Sequence, residues 1–129
     1  MSVAQKSFGT TKNGEEVTLY TITNKNNVSV SVIDYGANLV SLMVPDKNGN
    51  VEDIVLGFDN VAGYEVNGCF FGAIIGRSGN RIENSRFFID NKEVVLAENE
   101  NHNNLHSGPD GFEKKLWEVK EISQEKNSV

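Results

Sequence analysis

With 129 residues, 38% of them hydrophobic and 23% charged, the chain is long enough for one domain around one core and too apolar to stay disordered. Its formal net charge of −6 argues against a nucleic-acid partner, which would need a basic stripe to neutralise phosphates. Lys114-Lys115, the densest basic spot, reads as a solvated pair. No apolar run approaches the roughly 20 residues that a membrane helix needs, and Met1–Lys6 lacks the apolar core of a signal peptide.

Together these features predict a soluble, cytoplasmic protein with no membrane partner. The single cysteine, Cys69, has no partner for an internal disulfide or for a Cys-x-x-Cys metal pair. It lies in the apolar stretch Gly68-Cys69-Phe70-Phe71 and is expected to be buried as a small hydrophobe.

In chain order, Val17-Thr18-Leu19-Tyr20-Thr21-Ile22 is rich in β-formers, and Val28, Val30 and Val32 alternate with serines, as in a strand with one buried face. Asn24–Asn27 between them supplies turn chemistry, so the two runs read as a hairpin. Leu39–Val44 reads as a strand closed by the turn Pro45–Asn50. Ile54-Val55-Leu56 and Phe70–Ile75 are continuous apolar runs that suit strands buried on both faces.

Arg86–Ile89 and Glu93–Leu96 flank Asp90-Asn91-Lys92 as a second hairpin. Trp117–Ile122 reads as a strand with Trp117 packed in the core, Ser123–Asn127 as a turn, and Ser128-Val129 as the start of a returning strand. That last unpaired strand gives the sequence the look of a cut chain. No convincing amphipathic helix, repeat or linker interrupts this pattern. The predicted class is all-β, a sandwich or barrel.

Two polar clusters follow apolar runs. In Gly76-Arg77-Ser78-Gly79-Asn80-Arg81, glycines permit tight turns, Asn80 offers a donor and an acceptor, and Arg81 offers five donors. Such groups suit vicinal sugar hydroxyls, and they equally suit a solvated loop. Asn99–Gly108 holds both histidines, His102 and His106, the side chains whose ordinary pKa lies nearest neutrality. A metal pair at His-x-x-x-His spacing would need a helix, and an Asn-rich stretch is a poor one.

His102 reads as a water-facing loop residue. His106, beside Leu105, reads equally as a functional residue or as one tucked against the core. There is no phosphate-loop ending after Gly76–Gly79 and no Gly-x-Ser-x-Gly elbow. No Asp or Glu is marked as an acid–base pair.

Five ordered stretches resemble the aldose 1-epimerase family. They are Phe8-Gly9 with Asn13-Gly14; Tyr35-Gly36-Ala37 with Val44-Pro45-Asp46; Asp53–Phe58 with Tyr64; Phe71-Gly72-Ala73 running into Gly76–Ile82; and Asn104-Leu105-His106-Ser107-Gly108 followed by Gly111-Phe112 and Trp117. Ser107 stands where the family most often has Gly, a mild departure because Ser tolerates turns.

The resemblance implies an antiparallel β-sandwich of the galactose mutarotase-like supersandwich type, here incomplete, with residues 1–129 forming the N-terminal part of a single domain without an internal boundary. It implies acid–base opening of a pyranose ring, with a proton removed from O1 and another delivered to O5. By the same resemblance Asn80 and Arg81 bind sugar hydroxyls, and His106 binds near the ring oxygen and assists catalysis. The partner is a small aldose such as galactose or glucose, with no cofactor and no metal.

The family's general-acid His and general-base Glu belong to a later part of chains more than twice this length, so the 129 residues alone are expected to be inactive. Three alternatives stand beside this reading. One is a non-catalytic sugar-binding β-sandwich. Another is a hexose-6-phosphate 1-epimerase, to which Arg77 could contribute a cation. The third is a fragment with no activity of its own.

Overall fold

The computed structural model describes residues 1–125 and 128–129. Every strand pair in it is antiparallel, and the only α-helix among the described residues is five residues long. The all-β class read from the sequence is therefore the class observed. The chain divides into two units, Met1–Ala73 with Leu116–Val129, and Ile74–Lys115.

The first unit is a five-stranded meander of β1 (Ser2–Thr10), β2 (Glu16–Thr23), β3 (Ser29–Ile33), β4 (Leu39–Pro45) and β5 (Val51–Asp53), paired in chain order. The Asn24 turn between β2 and β3 closes on its own side chain, whose Oδ1 accepts from the Asn26 and Val28 N–H groups at 2.8 and 3.1 Å. Asp46 does the same after β4, accepting from Asn48 and Asn50 at 2.8 and 2.9 Å. These are the local hydrogen bonds that make Asn and Asp turn residues.

Helix α1 (Val61–Glu65) starts at Asn60, whose side chain accepts from Gly63 N–H at 3.0 Å. It buries Val61 and Tyr64 against Val17, Leu19, Ile33 and Tyr35. Leu19 and Ile33 are direct cross-strand partners, so the buried face of the meander runs through them. Tyr64 meets Phe58 edge-on at 5.3 Å and accepts the Phe58 N–H at 3.3 Å. Burial pushes its phenol above the ordinary tyrosine range, so it stays neutral.

Several expectations are corrected in this unit. Val28, Val30 and Val32 are half-buried, while Ser31 and Ile33 take the core positions. Val32 instead lines an apolar groove with Tyr20, Ile22, Trp117, Val119 and Ile122. Trp117–Ile122 forms no strand. Leu116 makes one bridge to Tyr35, and Trp117 N–H donates to Asp34 O at 2.8 Å. Trp117 is 40% exposed at the groove and is not a core residue. Of the turn expected over Ser123–Asn127, Lys126 and Asn127 lie outside the described residues.

Ile54-Val55-Leu56 also forms no strand, because the Asp53 carboxylate accepts the Leu42 and Val55 N–H groups at 3.0 and 3.1 Å and ends the ladder. Ile54 and Leu56 are exposed. Phe70–Ile75 forms no strand; its first residues lie in a turn, with positive φ at Phe70 and Gly72. Asn67 holds it by bonding both the N–H and the C=O of Phe71, at 3.0 and 2.8 Å. Cys69, on that turn, is exposed and not buried. Strand β1 is an addition that β-propensity does not signal.

The second unit holds two short pairs. β6 (Arg81–Ile82) pairs β9 (Asn104–Leu105), and β7 (Arg86–Ile89) pairs β8 (Lys92–Val95). The hairpin read at Arg86–Leu96 is present, turning through Asp90 and Asn91 at φ 49° and 61°. Asn and Asp tolerate that left-handed backbone, which a tight hairpin turn demands. No helix among the described residues is long and apolar enough to cross a membrane.

Candidate functional site

The pairing of β6 with β9 carries the site. Its register sets Arg81 opposite Leu105 and Ile82 opposite Asn104. One step beyond the ladder, Asn80 faces His106. The His106 N–H donates to Asn80 O at 3.0 Å, and the Asn80 N–H donates to His106 Nδ1 at 3.0 Å. Both residues have positive φ, 59° and 51°, so regular strand geometry ends here. A backbone N–H can only donate. Nδ1 is therefore the acceptor, and the neutral ring carries its proton on Nε2.

Arg81, next along β6, is 53% exposed at its side chain. Its Nε and Nη2 donate to the two oxygens of Glu100 at 2.6 and 2.5 Å, a bidentate pair. Its Nη1 lies 3.4 Å from Asn80 Oδ1. The Arg81 hydrogen bonds hold the Glu100 carboxyl below the usual carboxylate range, and Glu100 in turn pushes Arg81 further up. A carboxylate held in this way is a weak base.

Glu100 reaches Arg81 because a two-residue turn follows it. Asn101 and His102 have φ 47° and 68°, and Glu100 and Asn103 exchange backbone bonds at 3.2 and 2.8 Å. Asn99 braces the same loop by bonding the N–H and C=O of Leu105 at 2.7 and 2.9 Å. Asn104 is buried and donates to Ala97 O at 2.8 Å. The asparagines that make this stretch a poor helix thus build its turns.

The structure brings Asn80, Arg81 and His106 together and leaves His102 apart. His102 is 84% exposed at its side chain and faces Glu98 at 3.1 Å. Arg77 lies with its guanidinium 5.3 Å above the Phe112 ring. Ser78 and Ser107 join beside the site through Ser107 Oγ. Sequence reasoning missed Glu100 and Ser78. Their roles depend on partners 19 and 29 residues away, and no local pattern signals that. Among the described residues, no three His, Cys, Asp or Glu side chains group as a metal site would require.

The arrangement offers an exposed guanidinium, an amide and an imidazole Nε2–H within one short strand pair. It can donate several hydrogen bonds to neighbouring oxygens of a polar ligand. The Glu100 carboxylate is already committed to Arg81.

Residues 18–129 match the family model described as aldose 1-epimerase. The chain is 43% identical over 94 residues to bovine galactose mutarotase, covering 73% of this chain and 28% of that protein. It is 38% identical over 106 residues to aldose 1-epimerase of Escherichia coli K12, covering 82% of this chain and 31% of that protein. Among solved structures it is similar to a GalM/aldose epimerase homologue from C. elegans, with TM-score 0.77, 32% identity and 93% of this chain covered against 33% of that one.

Galactose 1-epimerase from Lactobacillus acidophilus shares the fold, with TM-score 0.75 at 22% identity over 90% of this chain and 33% of that one. The chain thus spans about a third of the length of the relatives it matches. With the family model matched from the second strand onward and a solved GalM/aldose epimerase homologue matched along nearly its whole length, the chain belongs to the aldose 1-epimerase family.

Proposed function

We propose that this chain forms the sugar-anchoring part of an aldose 1-epimerase that interconverts the α and β anomers of hexoses such as galactose and glucose. The observation that carries the reading is the juxtaposition of Asn80, Arg81 and His106 at the open end of the β6–β9 pair. Asn80 and Arg81 bind sugar hydroxyls, and His106 presents Nε2–H near the ring oxygen, assisting the reaction. Arg81 stays protonated. It anchors the sugar and complements negative charge that develops on oxygen during ring opening.

Anomer exchange needs a base that takes the O1 proton and an acid that protonates O5. Glu100 is a poor candidate for the base because Arg81 lowers its proton affinity. In this reading the general-acid His and general-base Glu belong to the part of family-length chains that lies outside the matched third. The 129 residues alone then bind sugar and exchange anomers little. No cofactor is needed, and the setting is cytoplasmic.

The test is polarimetry of freshly dissolved α-D-galactose with the purified chain, beside the same chain extended to family length. Faster equilibration by the extended chain alone supports the assignment. Ordinary turnover by the 129 residues removes the division of labour. Galactose binding by both proteins without any exchange points instead to a non-catalytic sugar-binding module.

A further inference from the structure

We infer that Ser107 is a positioning residue for the Asn80–His106 pair, acting through a hydroxyl stitch to Ser78; its relevance to sugar rests on the function proposed above. Ser107 Oγ accepts the Ser78 N–H at 2.8 Å and donates to Ser78 O at 2.9 Å. The Ser78 hydroxyl itself stands farther off, 3.3 Å from Ser107 Oγ. One side-chain oxygen therefore binds both polar groups of a peptide unit's residue 29 positions away. It imitates the two-way exchange of an antiparallel ladder where the backbone no longer provides one.

Its place in the chain gives the stitch its consequence. The β6–β9 ladder has only two registered pairs. Next comes the Asn80–His106 exchange, in which an imidazole nitrogen replaces a carbonyl as acceptor. The Ser78–Ser107 stitch follows on the far side. Asn80 and His106 are thus held from both sides, and without the stitch they would be the fraying end of a two-residue strand pair. Fraying ends open most readily. The position is one where the resemblance leads one to expect Gly, so this chain carries a hydroxyl in place of backbone freedom. Ser107 has φ 74°, which Gly adopts without strain.

The positive φ makes Ser107→Gly a clean test, since it deletes the hydroxyl while easing the backbone. A hydrogen bond is worth roughly fivefold in an equilibrium. With two bonds lost, Asn80 amide hydrogen exchange should rise by about 25-fold. The through-bond coupling between the Asn80 amide nitrogen and His106 Nδ1, read by nuclear magnetic resonance on the 129-residue chain, should fall or vanish. Ser78→Ala should leave both readouts within about twofold, because Ser107 bonds the backbone of Ser78. Ser107→Ala should repeat the Ser107→Gly result should the glycine variant fail to fold.

Galactose affinity, from titration of the same samples, should drop by about tenfold in Ser107→Gly. Unchanged exchange and coupling in folded Ser107→Gly and Ser107→Ala overturn the inference, and so does unchanged affinity despite a loosened pair. If the wild-type chain shows no galactose-induced shift at Asn80 or His106, the sugar-site reading fails, and exchange and coupling alone decide whether Ser107 positions the pair.

Discussion

Replacing Arg81 by Ala should separate binding from stability. Its side chain is 53% exposed and that of its partner Glu100 is 28% exposed. Solvent and salt screen such a pair, so its loss should barely move the denaturation midpoint. Sugar binding is another matter. Glu100 engages Nε and one hydrogen of Nη2, which turns the Nη1 amino group toward Asn80.

A charged donor to a ligand hydroxyl, excluded from water when the sugar lands, is worth more than a neutral one. Arg81→Ala should therefore weaken galactose binding by the chain, and lower kcat/KM of the family-length protein, by about 10–100-fold. Arg81→Lys should recover only part of this, because an ammonium cannot hold Glu100 in two-point fashion and also serve Asn80 and the sugar. The assays are galactose titration followed at the Asn80 and His106 amides, polarimetry, and urea unfolding. Unchanged kcat/KM in Arg81→Ala would remove Arg81 from the site. A large fall in stability would show that the residue acts through the fold.

Gly72→Ala should destabilise the first unit by about 2–4 kcal/mol in urea unfolding. An added Cβ would lie 2.0 Å from Leu39 O at a residue with φ +66°, straining the backbone and the 2.9 Å bond from Leu39 N–H to Gly72 O; an unchanged midpoint would contradict the contact. Glu100 has a folded pKa lowered chiefly by its hydrogen bonds from Arg81. Its stabilisation is fully present above the unfolded value of about 4.3 and is lost as pH falls through the lower folded value. Because the pair is open to solvent, thermal melts between neutral and strongly acid pH should show an acid limb only slightly flatter in Glu100→Gln than in the wild type. Cys69, exposed on its turn, should react stoichiometrically with a thiol reagent in the native protein, where a buried thiol would react only after unfolding.

The legible parts of the fold were those whose cause is local. The β2–β3 hairpin shows because β-branched runs flank Asn24, whose side chain itself makes the turn. The β7–β8 hairpin shows because Asp90 and Asn91 accept left-handed backbone. Strand β1 did not show, since Ala4-Gln5-Lys6 has no β-preference of its own and is extended by pairing with Tyr20, Leu19 and Thr21.

The opposite error occurred at Phe70–Ile75. An apolar run there satisfied the strand pattern, yet one side chain, Asn67, bent it by bonding Phe71 twice. Asn80, Arg81 and His106 were legible as motif residues, but their mutual arrangement was not. Glu100 and Ser78 enter it across 19 and 29 residues of chain, which only tertiary pairing can bring together.

In a regular ladder a carbonyl would accept the Asn80 N–H; here the ring of His106 does. The imidazole is therefore part of the backbone pairing, and its position and tautomer are fixed by main-chain geometry. The side chain of Asn80 takes no part in that pairing, since both bonds to His106 use Asn80 backbone atoms. Asn80→Gly, which keeps the φ of 59° without strain, should hence retain the His106 Nδ1 bond while lowering galactose affinity by about 5–30-fold. His106→Ala should lose both the bond and the affinity. If Asn80→Gly keeps the coupling to Nδ1 and binds galactose like the wild type, the Asn80 amide is not a sugar contact, and recognition at this strand end falls to Arg81 and His106 alone.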